Sequence, residues 1–118
     1  MSSFSDQSKS YLKELVRVAL NSPKAIGYEK ITVDGTIKNL TVPAGATYAK
    51  ITLESADTSG IAARFLQSKA ITITTALGMP LYNGTSADIL DYQNLVNFQI
   101  IRVQSGATSL NVEYFRDK

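Results

Sequence analysis

The sequence predicts a mainly β protein: an antiparallel β-sandwich or jelly roll of about eight strands, with an N-terminal amphipathic α-helix. Three observations carry this expectation. Apolar and polar residues alternate through most of the chain after Pro23, turn-forming residues interrupt that alternation, and a helical period occurs once, near the start. The expected division is a helical arm over residues 1–22 and a β-sandwich domain over 23–118, with "NSPKAIG" (21–27) as the hinge.

The helix is expected over residues 5–20. Tyr11, Leu12, Leu15, Val16, Ala19 and Leu20 recur at spacings of one and three, which lays an apolar stripe along one side. Ser5 or Asp6 can cap its start through a short side-chain oxygen, and Pro23 stops it by disfavouring the helical region at Ser22. Lys9, Lys13 and Arg17, each four residues apart, form a basic ridge opposite the stripe. Such a ridge reads as a solvated face before it reads as a dock for an acidic surface. A helix this short is marginal alone, so its stripe needs cover from the β domain, a sister subunit or a foreign surface. The six stripe residues are therefore the candidate interaction residues.

Beyond the hinge the period is two. "YEKITV" (28–33) and "TIKNLTV" (36–42) are expected to pair across Asp34-Gly35, a dipeptide that tolerates the positive φ angles of a type I′ hairpin. "VPAGAT" (42–47) is a second turn, with Pro43 fixing φ and Gly45 free of a Cβ. "YAKITLE" (48–54) puts Ala49, Ile51 and Leu53 on one face and Tyr48, Lys50, Thr52 and Glu54 on the other. After the polar loop "SADTSG" (55–60), further strands are expected in "IAARFL" (61–66), "AITITTA" (70–76) and "ADIL" (87–90), with an exposed turn-rich stretch "GMPLYNGTS" (78–86) before the last. "NFQIIRVQSGATSLNVEYFR" (97–116) reads as a closing hairpin joined by "SGATS" (105–109). In it Phe98 and Ile100 share one face, Ile101 and Val103 the other, and Leu110, Val112 and Tyr114 alternate with Asn111 and Glu113.

At 118 residues the chain fits one domain, and a domain of that size buries roughly 65% of the surface its unfolded chain exposes. It contains no Cys, no His and no Trp. Without His and Cys it lacks the commonest general base, the commonest transition-metal ligand and the best nucleophile. A non-enzyme is expected, with no catalytic residue, no metal site and no cofactor. The 12 basic and 10 acidic residues are scattered, unlike the dense basic clusters that a phosphate backbone favours, so nucleic acid is not an expected partner. No basic n-region leads into an unbroken apolar stretch and no run approaches 18 apolar residues. The expectation is a soluble chain, without a cleaved export signal or a membrane span.

Each reactive-looking residue has an ordinary explanation. Asp88 and Asp91 in "SADILDYQN" are two carboxylates three positions apart, too few for the six to eight oxygens that calcium takes, so turn capping is expected of them. Asp57 in "SADTSG" is expected to make local turn bonds. Without His a nucleophilic Ser needs a Lys base, and no S-x-x-K pattern stands in a recognisable setting. Gly60, Gly78, Gly84 and Gly106 lie singly in turns and form no phosphate cradle. Tyr28, Tyr48, Tyr82 and Tyr92 can offer ring faces to a sugar, although strand and interface packing is their commoner use. "NLT" (39–41) and "NGT" (83–85) match the glycosylation pattern, but in the absence of an export signal they read as chance matches.

"TTALGMPLYNGTSADILDYQNLVNFQIIRVQSGATSLNVEYFR" (74–116) contains a G-x-P-L…G turn, a polar segment, an L-x-N-F-x-I-I strand and a final L-x-V-x-Y-F strand. With "TVPAGATYAKITLES" (41–55), in which a Val-Pro-x-Gly turn feeds an alternating strand, it resembles small virion proteins of tailed bacteriophages. The resemblance spans residues 40–116 and leaves out the helical arm. It implies a non-enzymatic structural component of the virion: a capsid decoration, fibre-anchoring or tail accessory protein. It further implies a homo-oligomer partnered by other virion proteins of capsid or tail, made in the host cytoplasm and located in the virion. The alternative is a glycan- or receptor-binding β-sandwich module, which exposed tyrosines clustered at one rim would favour.

Overall fold

The computed structural model of the chain describes residues 23–117. The expected helix over 5–20, with its stripe of Tyr11, Leu12, Leu15, Val16, Ala19 and Leu20, lies outside the described residues. Within them the chain is mainly β, with seven strands in two antiparallel sheets. The strands are β1 (Lys24–Val33), β2 (Tyr48–Ser55), β3 (Ala63–Leu66), β4 (Met79–Leu81), β5 (Ser86–Leu90), β6 (Gln99–Arg102) and β7 (Thr108–Arg116). One short helix, α1 (Tyr92–Val96), separates β5 from β6. The four-stranded sheet runs β1-β7-β2-β5 and the three-stranded sheet β4-β3-β6, and neither closes on itself.

Alternation sets which side chains go inward. In β2, Ala49, Ile51 and Leu53 are buried while Lys50 and Glu54 are exposed; in β7, Leu110, Val112 and Tyr114 are buried while Glu113 is exposed. Both strands behave as their period predicts. Their inward residues meet Ala63, Phe65, Leu81 and Ile100 from the smaller sheet, together with Leu95 and Phe98, in one core. Phe65 and Phe98 stack there at 5.7 Å between ring centroids. Each fully buried aliphatic or aromatic side chain of this kind contributes about 1.5–3 kcal/mol.

The pairing of strands differs from the sequence expectation at both predicted hairpins. β1 does not fold back on residues 36–42. It pairs along its length with β7, from Lys24 opposite Arg116 to Val33 opposite Thr108. Asp34 instead turns the chain by accepting bonds from the Thr36 backbone N–H at 2.9 Å and the Thr36 hydroxyl at 2.6 Å, which hold its carboxyl below the usual range. Gly35 is not among the glycines with positive φ, so no type I′ turn forms. Residues 36–42 run irregularly, with one bridge from Lys38 to Ile100, and Leu40 and Val42 pack on the core. A nine-pair ladder to a central strand satisfies more backbone than a local two-residue turn could.

The C-terminal stretch is not a hairpin either. β6 pairs with β3 in the smaller sheet, and β7 sits between β1 and β2 in the larger one. The intervening "VQSGA" (103–107) therefore crosses from one sheet to the other. Two further expectations fail locally. Residues 70–76 form no strand, and of their apolar side chains only Ile73 is buried. The exposed turn over 78–86 contains strand β4, where Leu81 is buried and Pro80 is tolerated because β4 is an edge strand.

Candidate interaction face

The outer face of the four-stranded sheet presents its side chains in register, in rows across the strands. The first row is Ala25, Phe115, Tyr48 and Leu90, taken from β1, β7, β2 and β5. The next is Tyr28, Glu113, Lys50 and Asp88; the third is Lys30, Asn111, Thr52 and Ser86. The rows recur at every second residue of β2, β5 and β7, where the residues between point into the core, and on β1 a register shift between Ala25 and Gly27 sets the first two rows three residues apart.

The first row is apolar. Tyr48 and Phe115 stack with their centroids 4.9 Å apart and their planes 7° from parallel, the geometry of a strong cross-strand pair. Leu90 extends the row and is 61% exposed. Just beyond it Asp91 stands in the left-handed region at φ 78°, and α1 begins with the exposed Tyr92.

The other two rows are polar and differently employed. In the third, the Tyr28 hydroxyl donates to Asn111 Oδ1, Asn111 Nδ2 donates to Glu54 Oε1, Lys30 Nζ lies 3.9 Å from Glu54, and Thr52 and Ser86 share a hydrogen bond of 2.8 Å. In the second, Glu113, Lys50 and Asp88 alternate in sign. Among the described residues neither the Glu113 carboxylate nor the Lys50 ammonium makes an ion pair or a side-chain hydrogen bond. Tyr28, Lys50, Thr52, Asn111 and Glu113 line a shallow depression of about 360 Å³.

A second opening, of about 280 Å³, lies at the β1 edge between Gly27, Tyr28, Glu29, Thr41, Pro43 and Tyr114. Glu29 Oε2 accepts from the buried Tyr114 hydroxyl and, at 2.9 Å, from the Thr41 backbone N–H. Burial, reinforced by the neighbouring Glu29 carboxylate, pushes the Tyr114 phenol far above its ordinary value. The phenol thus stays a donor, and the pair clamps the irregular segment 36–43 against β1.

The residues singled out in the sequence disperse. Tyr28 and Tyr48 share the outer face, Tyr48 with one ring face covered by Phe115, whereas Tyr82 follows β4 and Tyr92 begins α1. The four therefore come from four different parts of the chain. Asp91 occupies the helix N-cap position, but its carboxylate makes no capping bond, and Asp88 is a strand residue opposite Lys50. Neither is the turn cap expected. Asp57 makes no local turn with its carboxylate either: it accepts from the Gly106 backbone N–H at 2.7 Å, 49 positions away. Among the described residues no group of three or more acidic side chains gathers in a way that could hold a metal ion. In the same residues no helix is long and apolar enough to cross a membrane.

Three polar side chains outside the candidate site residues read from the sequence do structural work. Asn111 ties two strands together through Tyr28 and Glu54. Arg64 donates to the carbonyls of Thr75 at 2.9 Å and Gly78 at 2.7 Å. Gln99, 5% exposed, donates to Ser68 and Ile71 and accepts from Ile73. An amide set between the apolar Phe98 and Ile100-Ile101 is the sequence signal for Gln99, since a buried amide needs partners.

No protein-family model matches the chain, and no curated protein matches it. Among solved structures, a Bacillus endospore appendage, described as forming a novel family of disulfide-linked pili, is similar over 80% of this chain and 87% of its own. The two are 16% identical with a TM-score of 0.41, a likeness that carries no inference about the function of this chain.

Proposed function

We propose that the chain is a non-enzymatic structural component of a tailed-phage virion, a capsid decoration, fibre-anchoring or tail accessory protein that acts through protein–protein contacts. Its two sheets serve as the layers of a β-sandwich, and its partners are other virion proteins and further copies of itself. The observation that carries the proposal is the apolar row Ala25–Phe115–Tyr48–Leu90, which crosses all four strands of one sheet on its outer face. With Leu90 61% and Tyr92 44% exposed beside it, this is apolar surface of the kind that marks contact between proteins. The resemblance of residues 40–116 to small virion proteins supplies the particle.

The test is sedimentation of tailed particles, produced from the genome that encodes the chain, through a density gradient, with its peptides quantified in the particle band. A fixed ratio to a major capsid or tail protein supports the proposal. Recovery of the chain only at the top of the gradient overturns it. Leu90→Lys places a charge in the apolar row without touching the core, and it is expected to lower occupancy on the particle at least tenfold.

A further inference from the structure

We propose that the depression over Tyr28, Glu113 and Lys50 is a saccharide site that takes a neutral pyranose. The site lies one row away from the apolar surface assigned to protein contacts, and the inference goes beyond that assignment.

Three features point to this ligand class. The first is an aromatic face available for stacking. Tyr28 is 61% exposed, yet its ring is not loose, because its hydroxyl is anchored on Asn111, which is itself held by Glu54. An anchored ring loses little freedom when a ligand covers it, and a pyranose offers the flat array of C–H groups that such a face accepts. The second is an unspent acceptor beside an unspent donor. Glu113 lies directly across from both Tyr28 and Lys50 in the ladder, and among the described residues neither its carboxylate nor the Lys50 ammonium has a side-chain partner. Two neighbouring sugar hydroxyls match that pair, one donating to the carboxylate and one accepting from the ammonium.

The third feature is the charge pattern, which rejects the main competitors. Lys50 lies between Glu113 and Asp88 in its row, so a phosphate or other anion meets two carboxylates for each ammonium. A metal ion finds one carboxylate among the five lining residues and one more, Asp88, beyond Lys50 in the row, well short of an oxygen cage. A purely apolar ligand would cover Glu113 and Lys50 without satisfying either. The remaining lining groups are already employed: Thr52 bonds Ser86, and Asn111 bonds Tyr28 and Glu54. Specificity therefore rests on the ring, the acceptor and the donor.

The experiment is a ¹H–¹⁵N NMR titration of the full chain with the methyl glycosides of glucose, galactose and mannose, each to tens of millimolar. The expected result is a saturable shift of the Tyr28, Lys50 and Glu113 amides with at least one sugar. Tyr28→Ala is expected to abolish that shift, Tyr28→Phe to keep it with weakened affinity because the ring remains but loses its anchor on Asn111, and Glu113→Gln to weaken binding at least threefold. Tyr28 and Glu113 are both exposed, so these variants are expected to keep the parent circular dichroism spectrum. No saturable shift at these amides with any of the three sugars overturns the proposal, as does a shift that survives Tyr28→Ala. Sedimentation with particles has no part in this titration, so a failure here leaves the virion proposal standing, and the reverse holds.

Discussion

The backbone N–H of Gly106 donates to the carboxylate of Asp57 at 2.7 Å, which fastens the strand-crossing segment after β6 to the loop after β2. A Cβ built on Gly106 would lie 2.5 Å from Asp57 Oδ2 and 2.7 Å from its Cγ. The glycine is needed for that close approach, since its φ is not in the left-handed region. Gly106→Ala is expected to push the carboxylate away and lower stability by about 1–3 kcal/mol, the cost of a hydrogen-bonded group left unmade plus local strain. Urea denaturation measures it. An unchanged midpoint would show that the loop absorbs the methyl group freely.

Neighbouring positions on β7 are expected to respond in opposite ways. Val112 is fully buried and Glu113 is exposed. Val112→Asp puts an unpaired charge in the core and is expected to cost at least about 3–5 kcal/mol, enough to unfold a domain of marginal stability. Glu113→Gln is expected to stay within about 0.5 kcal/mol of the parent. Equal urea midpoints for the two variants would contradict the observed register.

Tyr114 links stability to alkaline pH. Its phenol is held protonated in the folded chain above the ordinary tyrosine value of 10.0, through burial first and then the Glu29 carboxylate. A raised folded value means that the contribution is complete below 10.0 and is lost as pH rises beyond it, because the unfolded chain then releases a proton that the folded chain keeps. Urea midpoints of the parent are therefore expected to fall more steeply above that pH than those of Tyr114→Phe. Parallel pH profiles would refute the linkage.

Gln99 supports a segment that has no ladder of its own. Its amide serves the carbonyls of Ser68 and Ile71 and the N–H of Ile73. Gln99→Leu keeps the approximate volume but strands those groups, at a cost of about 1–3 kcal/mol. Hydrogen exchange is expected to accelerate in residues 67–77 before it changes in β2 or β7. Uniform acceleration across all strands would mean instead that this segment opens only with the whole core.

Period-two alternation alone determined which faces of β2 and β7 are buried. Ala49, Ile51, Leu53, Leu110, Val112 and Tyr114 went inward as read, because burying an apolar face depends on local order and not on which strand lies alongside. The composition likewise showed that neither His nor Cys chemistry is available. Only the tertiary structure decided the partners. Asp34-Gly35 looked like a hairpin and yielded to a nine-pair ladder between β1 and β7, and the segment around Gly106 looked like a tight turn and became a crossing between sheets. Backbone hydrogen bonds are alike for every strand, so local sequence cannot rank a near partner against a distant one; the shared core does that by burying more surface in one arrangement. The same limit applies to the interaction face. Tyr48 and Lys50 were legible as outward-facing, but their alignment with Phe115 and Leu90 in one row, and with Tyr28 and Glu113 in the next, is set by the register of four strands that meet only when the chain is folded.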